Sequence, residues 1–122
     1  MKSIIALFIC SARARHIREL YKQLEERLHG SAWTPQELFI GFGYDVGDLG
    51  RLVMATQDRW VHKGDLPEEL AGKLSECLWW ILVLAERLDV DITQAFAAKM
   101  ASVQSSFSCS FLSPSISGAG GP

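Results

Sequence analysis

The stretch AGKLSECLWWILVLAERL, residues 71–88, decides the fold class. Its centre, Cys77 to Ala85, is apolar on every side of a helix, which places it in the middle of a helical assembly and at a contact between subunits. Just before that run stand Lys73 and Glu76, one turn apart. Two charged side chains at the entrance to an interior helix call for a chemical reason.

The elements around this helix can be read outward from it. Asp65 followed by Glu68, with Pro67 in the first turn, has the spacing of a capping box and predicts a helix over about 66–88. Upstream, Thr34, Pro35 and Glu37 form a second box, which starts a helix running through Leu38, Phe42, Leu49, Leu52 and Val53 to about Gln57. Gly41, Gly43, Gly47 and Gly50 interrupt it, and each costs about 1 kcal/mol against alanine. Such glycines imply that another backbone or a ligand comes close. Ile17, Leu20, Tyr21, Leu24 and Leu28 recur at three- and four-residue steps and predict an amphipathic helix over 12–28, ended by Gly30. Asp91, three residues before Gln94, caps a fourth helix that carries Ile92, Ala95, Phe96, Met100 and Val103. No β pattern and no internal repeat stands out. The expected fold is all-α, a four-helix bundle, homodimeric or larger because so apolar a third helix needs cover.

The chain of 122 residues, 48% hydrophobic and 21% charged, has the size of one ordinary domain. It divides into an apolar lead-in (1–11), a helical domain (12–104) and a Ser- and Gly-rich tail without charge (105–122), whose composition reads as disordered. The opening MKSIIALFICSARA has features of a signal peptide, namely Lys2, the apolar run Ile4 to Cys10 and Ala12-Arg13-Ala14. Its apolar run is short and two arginines sit near the cut, so the reading taken is a lead-in that packs on the bundle. No stretch approaches the ~20 apolar residues of a membrane span. Cys10, Cys77 and Cys109 form neither a disulfide framework nor a zinc-ligand spacing, which fits a reducing cytoplasm. A net charge of -2 and the lack of a Lys/Arg cluster argue against a nucleic-acid polymer as partner.

Asp45 and Asp48 share one face of the second helix, and Glu76 falls with Glu69, Lys73 and Trp80 on one side of the third. Antiparallel packing of the two helices would gather Asp45, Asp48 and Glu76. Three carboxylates in a partly buried space repel one another unless a cation is present, and a hard divalent ion such as Mg²⁺ (or Mn²⁺) suits oxygen ligands and triphosphate chemistry. Paired acids at this spacing are also common on solvated helix faces, so spacing alone leaves both readings open.

The segments GYDVGDLGRLVMA (43–55) and LAGKLSECLWWILVLAERLDVDITQAF (70–96) resemble the MazG-like family of all-α nucleoside triphosphate pyrophosphohydrolases. That family carries an ExxE pair on one helix, an ExxD pair on the next, a Leu/Trp-rich run and an IDLEEAF-like start to the last helix. Asp45 and Asp48 match the ExxE positions, Glu76 matches the Asp of ExxD, and Asp91 matches the acidic residue of the last segment, although an N-cap role explains Asp91 equally. The resemblance covers about residues 15–103. It implies a homo-oligomeric bundle in which Asp45, Asp48 and Glu76 hold Mg²⁺ and a metal-activated water cleaves a nucleoside triphosphate to monophosphate and pyrophosphate.

Lys73 departs from that pattern, because it stands where the family has its remaining glutamate. An ammonium has no lone pair and cannot ligate a metal at neutral pH, so metal affinity is expected to fall. Three readings follow: Lys73 takes the metal's place and leaves a binding module without activity; Glu69, one turn earlier, supplies the missing carboxylate; or Lys73 reaches a substrate phosphate beside three carboxylates that still hold one Mg²⁺. The last two keep a hydrolase, and the first makes the chain a catalytically impaired MazG-like binding or interaction module. Trp33 and Trp60, near helix ends, are the aromatic residues best placed to touch a base, whereas Trp79 and Trp80 read as core and subunit contact. Arg51 and Lys99 read as residues of solvated faces that could also meet phosphates, and Cys77 as a small buried apolar residue.

Overall fold

The computed structural model describes residues 2–112, which form four helices and no strand: α1 (Lys2–His29), α2 (Pro35–Thr56), α3 (Leu66–Arg87) and α4 (Ile92–Leu112). Residues 2–11 of the lead-in belong to α1, which continues without a break at Ala12. α4 runs on through Ser105 to Leu112, past the change of composition, and residues 113–122 of the tail lie outside the described residues.

Local chemistry sets the ends of these helices. Thr34 Oγ1 accepts from the Glu37 backbone N–H at 3.2 Å and a Glu37 carboxylate oxygen accepts from the Thr34 N–H at 3.1 Å, a complete capping box. Asp65 accepts from the Glu68 N–H at 3.2 Å, and Asp91 accepts from the Gln94 N–H at 3.1 Å. Gly30, with φ +80°, ends α1 in the left-handed region that glycine favours. α2 and α3 stop with aspartates in the same region, Asp58 at φ 57° and Asp89 at φ 55°. At each, the next residue closes a Schellman bond, from Arg59 N–H to the Met54 carbonyl (3.0 Å) and from Val90 N–H to the Ala85 carbonyl (2.8 Å).

α3 is central, as its sequence predicts. It packs most extensively on α2 and on its other side meets α1, which in turn touches α4. Leu38 and Leu52 of α2 and Val83 of α3 are fully buried, and Ala14, Ala55, Cys77, Leu82 and Ala85 complete the buried apolar set. Each of the three large side chains contributes about 2 kcal/mol by its burial. The order of packing, α2 on α3 on α1 on α4, is open, and no comparable packing joins α2 to α4 among the described residues. Leu74, Leu78 and Ile81 of α3 stay half-exposed, and α4 has no buried residue.

One of the glycines has its close neighbour within the chain. A Cβ on Gly41 would lie 2.6 Å from the Trp80 indole, so the absence of a side chain there lets α3 approach α2. At Gly43, Gly47 and Gly50 an added Cβ would meet nothing within 4 Å.

Candidate functional site

The packing of α2 on α3 brings together four of the residues singled out from the sequence. Asp45 and Asp48 lie on one face of α2, Lys73 and Glu76 on one face of α3. The Lys73 Nζ lies 2.6 Å from Glu76 Oε2, 3.2 Å from Asp45 Oδ1 and 3.4 Å from Asp48 Oδ2. The Lys73 and Asp45 side chains are largely covered, Asp48 less so, and Glu76 is half-exposed. Two further donors finish the cluster. Trp80 Nε1 donates to Asp45 Oδ2 at 2.6 Å, and Arg51 Nε donates to Asp48 Oδ1 at 2.9 Å.

The charges respond accordingly. The hydrogen bond to Glu76 raises the Lys73 pKa above its ordinary value, Asp45 adds to the shift, and partial burial opposes it. Asp48 is held below the usual carboxylate range, first by its hydrogen bond from Arg51 and then by Lys73. Burial pushes the neighbouring Cys77 thiol up, with the Asp45 charge in support, so Cys77 is a protonated apolar residue and not a nucleophile.

This donor set does not fit a divalent ion. The point on which Asp45, Asp48 and Glu76 converge is taken by an ammonium whose pKa is raised, and which has no lone pair to offer. Among the described residues no group of three or more His, Cys, Asp or Glu side chains is arranged to hold a metal. Glu69 does not join the cluster: its carboxylate bonds His62 Nε2, in the link between α2 and α3. No family model, no curated protein and no solved structure matches this chain.

The remaining candidates lie elsewhere. Trp60 is half-exposed in the α2–α3 link, beside Asp58, Arg59 and His62. Asp91 caps α4, at a separate cleft that Arg15 and Glu86 also line. Trp33 is better placed, since it lines a cleft of about 650 Å³ that opens beside the acidic cluster between α1, α2 and α3. Its walls include Tyr21, Leu24, Leu28, Trp33, Trp79 and Trp80, and Asp45 and Glu76 of the cluster also line it. The Trp33 and Trp80 rings are near parallel, 16° apart in plane with centroids 6.5 Å apart. Arg18 and Glu25 also line the cleft, joined by two bonds of 2.8 Å, and Glu25 accepts a further bond from the Trp33 N–H. These bonds hold the Glu25 carboxyl below its usual pKa, the Arg18 bond contributing most.

The sequence did not assign partners to four of these residues, Arg51, Trp80, Arg18 and Glu25. The i,i+3 spacing of Asp48 and Arg51 is a legible signal for their ion pair. Trp80 stands two turns after Lys73 on the same face, a placement compatible with its bond to Asp45. Arg18 and Glu25 are likewise two turns apart on one face of α1, a weaker signal, because about 10 Å of helix rise must be bridged by the two extended side chains.

Proposed function

We propose that this protein is a MazG-like helical binding module in which Lys73 has taken the place of the divalent ion, so that it binds at the aromatic cleft without hydrolysing a nucleotide. The observation that carries this reading is the Lys73 Nζ within 3.4 Å of Asp45, Asp48 and Glu76. Lys73 and Arg51 are both spent on carboxylates, and Arg18 is spent on Glu25. Among the described residues that line the cleft no Lys or Arg is left over for a triphosphate, and Asp45 and Glu76 would repel one. Flat aromatic walls with acids in the lining instead suit a planar ligand that is neutral or carries a positive charge. In this reading the chain works as a homo-oligomer, since apolar side chains such as Phe39 and Ile40 of α2 and Leu74 of α3 stay exposed within it.

The hydrolase reading keeps one observation on its side, the convergence of three carboxylates from two helices. Pyrophosphate release from a panel of nucleoside triphosphates with Mg²⁺ or Mn²⁺ separates the two. The expected result is no turnover by the wild-type protein. Turnover by the wild type that is lost in Asp45→Ala would replace the binding module with a metal-dependent pyrophosphohydrolase.

A further inference from the structure

The outward side of α2 is inverted for a surface helix. Its charged residues are Glu37, Asp45, Asp48 and Arg51. Glu37 is committed to the capping box, and the other three face the Lys73 cluster. At 3.6 residues per turn the opposite side is formed by Phe39, Ile40, Val46, Val53 and Met54, all exposed, with Ile40 at 71%. That face carries no charge along the helix. A helix that directs its charges inward and its apolar side chains outward has the pattern of a buried element.

Two further observations say what covers it. The chain exposes 9655 Å², whereas a compact monomer of its 13.5 kDa exposes about 6,500 Å². Allowing residues outside 2–112 the full area of an unfolded chain still leaves a surplus of about 2,000 Å². Obligate homodimers bury roughly 2,000 to 5,000 Å² in total, so the surplus per chain is of the size that such a dimer needs. The open order α2, α3, α1, α4 also leaves α2 with a single extensive helix neighbour among the described residues, whereas a stable domain buries its elements between layers.

We infer that the outward face of α2 packs on the same face of α2 in a second copy of this chain, across a two-fold axis. In such an isologous contact each residue meets the same surface, so a charged face would set like charges opposite one another; this face has none to set. Gly43, Gly47 and Gly50 lie on it, and their cost of about 1 kcal/mol each as helix residues is then offset by close approach of the partner backbone. The inference deepens the homo-oligomeric part of the proposed function by naming its surface, and it is independent of what fills the acidic cluster.

Light scattering on the full chain at tens of micromolar tests it. The wild-type mass should be twice 13.5 kDa, and Val46→Glu should weaken association about 100-fold, the effect of burying an unpaired charge. A second variant serves if Val46→Glu does not fold: Gly47→Cys, with Cys10 and Cys109 changed to serine, should form a disulfide-linked dimer under a mild oxidant. Glu19→Cys in the same background should not. A wild-type protein with the mass of one chain would overturn self-association. A wild-type dimer in which Gly47→Cys fails to cross-link, or Val46→Glu associates normally, would overturn the α2 face while leaving the homo-oligomer intact.

Discussion

Lys73 and Asp45 are 28 residues apart in sequence, and their side chains meet at 3.2 Å across the contact between α2 and α3. The bond ties the central helix to its most extensive neighbour and places a permanent positive charge among three carboxylates. Each consequence of that placement can be measured.

Lys73→Met keeps the aliphatic stem and removes the charge. Asp45, Asp48 and Glu76 then face one another without their shared cation, and stability should fall by about 1 kcal/mol, between the values for exposed and buried pairs. Millimolar Mn²⁺ should raise the Tm of Lys73→Met and of Lys73→Glu while leaving the wild type unchanged, because an ion that binds only the native state must stabilise it. Thermal scans with and without the metal check this, and a wild-type Tm that climbs with Mn²⁺ would count against the lysine-filled site.

The acid limb of the stability profile should carry the signature of Glu25 and Asp48. Both have folded-state pKa values below their ordinary 4.5 and 3.8, so their contributions are complete above those values and are lost as the pH falls through the lowered ones. Lys73 behaves in the opposite sense: its raised pKa leaves its contribution complete below the ordinary 10.5 and lost only as the pH rises well beyond it. Urea midpoints should therefore drop below about pH 4.5. Glu25→Gln should flatten part of that drop and cost about 2 kcal/mol at neutral pH, since Arg18, 5% exposed, loses its charge partner.

Gly41→Ala tests the close approach of α3. Alanine gains about 1 kcal/mol of helix propensity, but its Cβ would sit 2.6 Å from the Trp80 ring. Trp80 is held by its bond to Asp45, so the ring must shift and that bond weakens. A net loss of about 1 kcal/mol is expected, with a change in near-ultraviolet circular dichroism from the displaced indole. A more stable Gly41→Ala protein would show that the ring moves at no cost.

Asp89→Gly should stabilise the molecule. Asp89 sits at φ 55° just past α3, a conformation that costs a residue with a Cβ about 1 kcal/mol and glycine almost nothing. An increase of roughly 0.5 to 1 kcal/mol in unfolding free energy is expected, measurable by denaturant titration. The Schellman bond from Val90 to Ala85 is made by backbone and survives the change.

Local sequence was enough to specify the helices and most of their ends. Thr34 with Glu37, Asp65 before Glu68, Asp91 before Gln94 and Gly30 act within a single turn, so their hydrogen bonds follow from spacing alone. The aspartate-closed ends at Asp58 and Asp89 were not legible, because aspartate enters the left-handed region less readily than glycine and no local spacing marks where it does. The sequence also marked Asp45, Asp48, Lys73 and Glu76 as residues in need of a partner. Which partners they take follows from how the helices pack. Within α3, Glu69, Lys73 and Glu76 share a side, yet the link between α2 and α3 carries His62 to Glu69 and removes it from the cluster, while the packing of Gly41 against Trp80 sets the depth at which Lys73 meets Asp45. Helix periodicity fixes the face on which a charge lies; which opposite charge it meets depends on how two helices dock, and that is settled by contacts far apart in the chain.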